Sequence, residues 1–184
     1  MKMKRNLVWL LLIGTALSFT NCKDSGDAVE PDDENELITS VTLKFTEQGT
    51  STTTSFSYKD ADGDGGNAAT QFDTIALKPN KTYTMTVELL DESKTPTDDI
   101  TKEIKEKADE HLFIFTPSPA TLLTYTYGDK DKNNYPIGLT GKAVTGATGI
   151  GKLTVQLRHQ PGAKNGTPEP GSDDVNLNFN LKVQ

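Results

Sequence analysis

Cysteine occurs once in the 184 residues, at Cys22, so no disulfide can form within the chain. Stability must come from a packed core, with or without a bound ion, and a domain of this length can bury one. Basic residues are scarce as well. Residues 1 to 21 hold Lys2, Lys4 and Arg5 and no acid, which leaves residues 22 to 184 with 16 Lys and Arg against 26 Asp and Glu. No basic patch survives that balance, which argues against a nucleic-acid partner. Long apolar runs are missing too: the single run, Leu7 to Leu17, is too short to span a bilayer as a mature helix. The sequence has no His-Glu-x-x-His and no Gly-x-Ser-x-Gly. The stretch "TGATGIGK", 145 to 152, ends in the Gly-Lys of a phosphate loop. Its glycine spacing is wrong, Leu153 stands where Ser or Thr is needed, and a strand pattern follows where a helix must open.

What stands at the amino terminus is a signal peptide. Lys2, Lys4 and Arg5 precede the apolar run, and cleavage is expected after residue 21. Cys22 follows in "LSFTNC", which resembles a lipobox, with Phe19 and Asn21 departing from the usual Leu-x-Gly/Ala pattern. In such a site the thiol takes a diacylglyceryl group and the new amine a further acyl chain such as palmitate, and more than one chain gives stable membrane anchoring. Next comes "CKDSGD", similar to the lysine-plus-acid signal that exports Bacteroidota lipoproteins to the cell surface. Residues 22 to 36 are acidic and nearly free of branched apolar side chains, and read as a tether that holds the following domain off the membrane.

From residue 37 to 184 a two-residue period dominates. Val41, Leu43 and Phe45 alternate with Thr42, Lys44 and Thr46, which predicts a strand with one buried face. The same rhythm returns over 82 to 89, over 153 to 158, and most clearly from Val175 to Val183. Threonine, with its branched Cβ, occurs 26 times and suits the solvated faces of such strands. Weaker patterns at 52–58, 71–77, 111–116, 121–127 and 136–144 bring the count to about nine. That is more than one sheet holds in a domain this size, so an all-β, immunoglobulin-like antiparallel sandwich is expected. One short helix is predicted in "TPTDDITKEIKEKADE", capped by Thr97 or Asp98, with Ile100, Ile104 and Ala108 on one face.

Two features carry chemistry. In "KDADGDGGNA", Asp60, Asp62, Asp64 and Gly65 match positions 1, 3, 5 and 6 of a calcium loop, where alternate oxygens converge and glycine permits the turn. Position 12 is Gln71 instead of the bidentate glutamate, and the flanks read as strands. Two readings stand: a calcium site completed by Asp73, with a structural role, or a solvated Asp-Gly hairpin turn. The second feature is the pair of histidines. His111 follows two acids and leads into "LFIF", and His159 closes a strand in "LRHQPG". Each reads as a packing or turn-fixing residue, with transition-metal or haem ligation as the alternative.

Several phrases together, "DGDGGNA", "IALKPNKTYTMTVELLDESKTPTDDIT", "DEHLFIF" and "LTVQLRHQPGAKNGTPEPGSDDVNLNFNL", resemble a family of small, functionally uncharacterised lipoproteins of Flavobacteriia and related Bacteroidota. The resemblance implies a cell-envelope location and a β-rich ectodomain. It implies no catalytic residues. The expectation is therefore a noncatalytic lipoprotein of the outer membrane, anchored through Cys22. It would serve as a binding or structural module for an envelope protein or an extracellular ligand. The alternatives are an envelope enzyme using carboxylates from several loops, and a metal- or haem-handling lipoprotein.

Overall fold

Residues 37–63 and 66–184 are described in the computed structural model of the chain. Their alternating segments form ten strands, numbered in chain order, in two sheets. The first sheet has the order β3-β2-β1-β5-β8-β7: β3 (Gln71–Phe72), β2 (Thr53–Lys59), β1 (Ser40–Glu47), β5 (Thr82–Leu90), β8 (Thr140–Thr145) and β7 (Leu123–Tyr127). The second has the order β4-β10-β9-β6: β4 (Ile75–Leu77), β10 (Ser172–Val183), β9 (Gly149–His159) and β6 (His111–Ser118). Every pairing is antiparallel except that of β4 with β10. The all-β sandwich expected from the sequence is what the chain forms.

The period of two explains the core. Val41, Leu43 and Phe45 of β1, Met85 and Leu89 of β5, Leu153, Val155 and Leu157 of β9, and Phe179 and Leu181 of β10 meet in one buried cluster. Each such side chain contributes about 1.5–3 kcal/mol by leaving water. On the outer face of β1 the hydroxyls pair across strands, Thr42 with Ser57 at 2.9 Å and Thr46 with Thr53 at 2.8 Å.

Two details differ from expectation. The segment 71–77 is not one strand: Phe72 pairs with Tyr58 in the first sheet, and Ile75 with Leu181 in the second. Asp73 fixes the crossing. Its N–H donates to the Ser57 carbonyl at 3.0 Å, and its Oδ2 accepts from Ser57 N–H at 2.8 Å and from Gln71 Nε2 at 2.9 Å. The split turns about nine strands into ten. The helix α1 (Ile100–Glu106) buries Ile100 and Ile104 as expected, but its N-cap is Asp99, with no side-chain capping bond. Asp98 is occupied elsewhere, exchanging backbone hydrogen bonds with Asp91. Pairing of β8 with β5 stops at Thr86, and beyond it Thr101 of the helix bonds both backbone groups of Leu89 through its hydroxyl.

Beyond α1 the chain is tied down by a buried ion pair. Lys164 Nζ lies 2.9 Å from Asp131 Oδ2, with side chains 1% and 0% exposed, and donates to the Ala108 carbonyl at 2.8 Å. This joins the loop between β7 and β8, the loop between β9 and β10, and the chain leaving the helix. Burial pushes the Asp131 carboxyl up, but Lys164 and the N–H groups of Tyr135 and Asn133 outweigh it, so its pKa lies below the usual value. A lowered folded value means stability that is present above the unfolded pKa of 3.8 and lost as the pH falls through the folded one. Lys164→Met leaves the carboxylate buried and alone. Urea unfolding at pH 7 is expected to show a loss of about 3–5 kcal/mol, and the gap to wild type should narrow below pH 4.

Candidate functional site

The two histidines are brought side by side. His111 opens β6, His159 closes β9, and the antiparallel register pairs them directly. Parity sets the face: His111 shares it with Phe113, and His159 shares it with Leu157 and Val155, so both imidazoles point inward and are buried. Their rings are parallel within 3°, with centroids 4.8 Å apart.

A third group comes from β10. With Val175 facing inward, an unbroken alternation would turn Asp174 outward. The register instead pairs Asp173 with Arg158 and Val175 with Leu157, so Asp174 is the extra residue of a β-bulge. Its carboxyl is 0% exposed, with Oδ2 at 3.7 Å from His111 Nε2 and Oδ1 at 4.0 Å from His159 Nδ1. The bulge is held from the outer face. Arg158 donates to Asp173 Oδ1 at 2.5 Å and to the carbonyls of Pro170, at 3.0 Å, and Gly171. Gly171 adopts φ +80°, and any Cβ there would run into the His159 carbonyl, so only glycine lets the loop return this close.

The electrostatics of this cluster are unusual. His111 Nδ1 lies 3.0 Å from the Lys107 carbonyl, which can only accept, so Nδ1 carries the proton. The lone pair of the neutral ring is then on Nε2, facing Asp174. Burial pushes the His111 pKa down to about 4, and burial pushes Asp174 up to about 6. Among the described residues, neither Asp174 oxygen nor His111 Nε2 has a hydrogen-bond partner. The separations of 3.7 and 4.0 Å exceed hydrogen-bonding range. Acceptor therefore faces acceptor in a buried space, an arrangement that calls for a proton or a cation between them. A cleft of about 430 Å³ in the seam between the sheets, with walls from Ile38, Val41, Tyr58 and Leu177, reaches Asp174.

The acidic loop is arranged differently. Asp60 is buried, its Oδ2 accepting from the Tyr58 hydroxyl at 3.0 Å while its Oδ1 has no hydrogen-bond partner. Asp62 Oδ2 accepts from the Asn67 side chain at 2.6 Å, and Asp73 holds the strand crossing. Asp64 and Cys22 lie outside the described residues, as do the signal peptide and the tether. Asp60 and Asp62 lie beside one another, and with Asp64 outside the described residues no third ligand of this loop is described next to them. The group that does gather is His111, His159 and Asp174, whose ligand atoms lie within 4.8 Å of one another. Sequence reading named both histidines and missed Asp174. The available signal was the Asp173-Asp174 doublet at the start of the β10 alternation, where a bulge can invert one residue.

No family model, curated protein or solved structure matches the chain.

The Asp174 pKa, raised above its ordinary 3.8 to about 6, means that the fold disfavours the carboxylate. The cost is complete above pH 6 and absent below 3.8. In the metal-free chain Asp174→Asn removes it, because the neutral amide carries no charge to bury. Denaturant unfolding at pH 7.5 should show the variant more stable by roughly 1–3 kcal/mol. That advantage should shrink steadily as the pH falls through 6 to 4.

Proposed function

We propose that the chain is a noncatalytic lipoprotein of the outer membrane, held there by acyl chains on Cys22. Its β-sandwich serves as a binding or structural module for an envelope protein or an extracellular ligand. The observation that carries the reading is the state of the ionisable groups. The one group of three possible ligands among the described residues is buried within the sandwich, its His111, His159 and Asp174 side chains 1%, 6% and 0% exposed. A general acid or base must touch its substrate, and here both imidazoles are buried and Asp174 alone borders the seam cleft.

Other carboxylates are committed to partners. Glu47 is held below the usual carboxylate range by Lys81 and Lys78, which lie 2.8 and 2.9 Å away. Asp173 is held low against its own burial by Arg158 and two amides. Groups spent in this way hold strands and loops together and are not poised for proton transfer. The seam cleft, with Leu37 exposed beside it, is the surface this reading assigns to a ligand. Among the described residues no helix is long and apolar enough to cross a membrane.

Metabolic labelling of expressing cells with palmitate, followed by membrane fractionation, tests the reading. The wild-type chain should carry label and sediment with outer membranes. Cys22→Ser should lose the label and appear in the soluble fraction. Label that persists in the variant, or an unlabelled wild-type chain, would overturn the proposal.

A further inference from the structure

We infer that His111, His159 and Asp174 form a binding site for one divalent late first-row transition ion of the Zn²⁺ class, bridging the three adjacent strands β6, β9 and β10. The ligand chemistry selects the class. Two imidazole nitrogens and one carboxylate are the donors that Zn²⁺ takes, whereas Ca²⁺ and Mg²⁺ require sets of oxygens.

The unsatisfied atoms say why an ion belongs there. Among the described residues, both oxygens of Asp174 and Nε2 of His111 are buried without a hydrogen-bond partner, and Nε2 faces Oδ2. A bound cation turns each of these costs into a bond. No direct His–Asp hydrogen bond is made, since Nε2 and Oδ2 stand 3.7 Å apart. Ligands of a tetrahedral Zn²⁺ stand about 3.3 Å apart, given metal–ligand bonds near 2.0–2.1 Å. The two histidine–carboxylate separations, 3.7 and 4.0 Å, come within that value by less than an ångström of closure. The two ring nitrogens, within 4.8 Å of each other on rings parallel within 3°, converge on one ion only when an imidazole turns about its side-chain torsions.

Supporting contacts are also in place. Zinc-bound histidines characteristically donate their second ring N–H to a carbonyl or carboxylate, and His111 donates Nδ1–H to Lys107 O. Asp174 is aimed by the bulge, which the Arg158–Asp173 contact and Gly171 hold in register. The ligands sit on hydrogen-bonded neighbouring strands, which gives the rigidity that selective coordination needs. Asp174 also borders the seam cleft, an entry path for the ion.

The test uses the full-length chain in mild detergent, stripped with a chelator and then titrated with Zn²⁺ or Ca²⁺, with Co²⁺ as a spectroscopic probe. One Zn²⁺ per chain should bind, raising the thermal midpoint by about 5–10 °C at a hundredfold excess over Kd. The Co²⁺ form should show visible d–d bands. Asp174→Asn and His111→Gln should each remove the thermal shift and weaken binding by about 100-fold or more, and His159→Gln should remove the bands. Asp62→Asn should change none of this. Far-UV circular dichroism of each metal-free variant separates lost binding from lost folding. If His111→Gln does not fold, Asp174→Asn, which keeps side-chain shape, decides alone. Three results would overturn the site: no saturable Zn²⁺ binding by wild type, binding that survives Asp174→Asn, or an ion effect shared by Ca²⁺ and abolished by Asp62→Asn. None of them bears on palmitate labelling at Cys22.

Discussion

Strand β9 is hydrogen-bonded on both sides over nearly its whole length, to β10 and to β6, so its register sets the parity of three strands together. Leu153, Val155 and Leu157 enter the core on that parity, and His159 follows them inward two residues later. A slip of one residue would send all four to solvent and bring Lys152, Thr154, Gln156 and Arg158 inside. The hydrophobic demand of the core therefore also places an imidazole in the sandwich. On β6 the same rule puts His111 inside because Phe113 is inside. Neither histidine is buried by any feature of its own.

Burying polar groups this way is costly, and the structure offsets most of the cost with short, specific partners. Lys164 answers Asp131, Arg158 answers Asp173, and Lys78 and Lys81 answer Glu47. These contacts lie at strand ends and loop returns, where backbone pairing stops and side chains must hold the chain. The Asp174 carboxyl is the contrast. Its side chain is as buried as that of Asp131, yet among the described residues the cations' place beside it is taken by two imidazoles at 3.7 and 4.0 Å. Set beside Asp131 and Glu47, which have lysines of the chain next to them, that difference is best explained by a partner that is not part of the chain.

The sequence was legible where the physics is local. Alternation located the long strands β1, β5, β9 and β10, and the helix face of Ile100 and Ile104, because the period of side-chain burial is set within each segment. Legibility ended where position depends on a distant neighbour. The 71–77 segment reads as one strand, since nothing in "QFDTIAL" shows that Phe72 and Ile75 join different sheets. The helix cap moved because Asp98 is taken by Asp91, a partner outside the helix. Both inward histidines could have been assigned to the core from parity alone. Their meeting could not, since it depends on β6 lying beside β9.

The acidic loop and the histidine cluster show how this bias acts on functional reading. Asp60, Asp62 and Asp64 stand at regular local spacing and attract attention as a motif, whereas His111, His159 and Asp174 are separated by long stretches of chain and have no motif. Loop-closure entropy reverses the ranking. An ion held within a short loop orders only that loop. An ion shared by residues 111, 159 and 174 ties together strands whose contact is costly to form, and the entropy recovered grows with the length of chain enclosed. In a chain whose single cysteine, Cys22, precedes the sandwich, no disulfide can provide such a tie. A metal joining β6, β9 and β10 would stabilise the register on which both the core and the cluster depend.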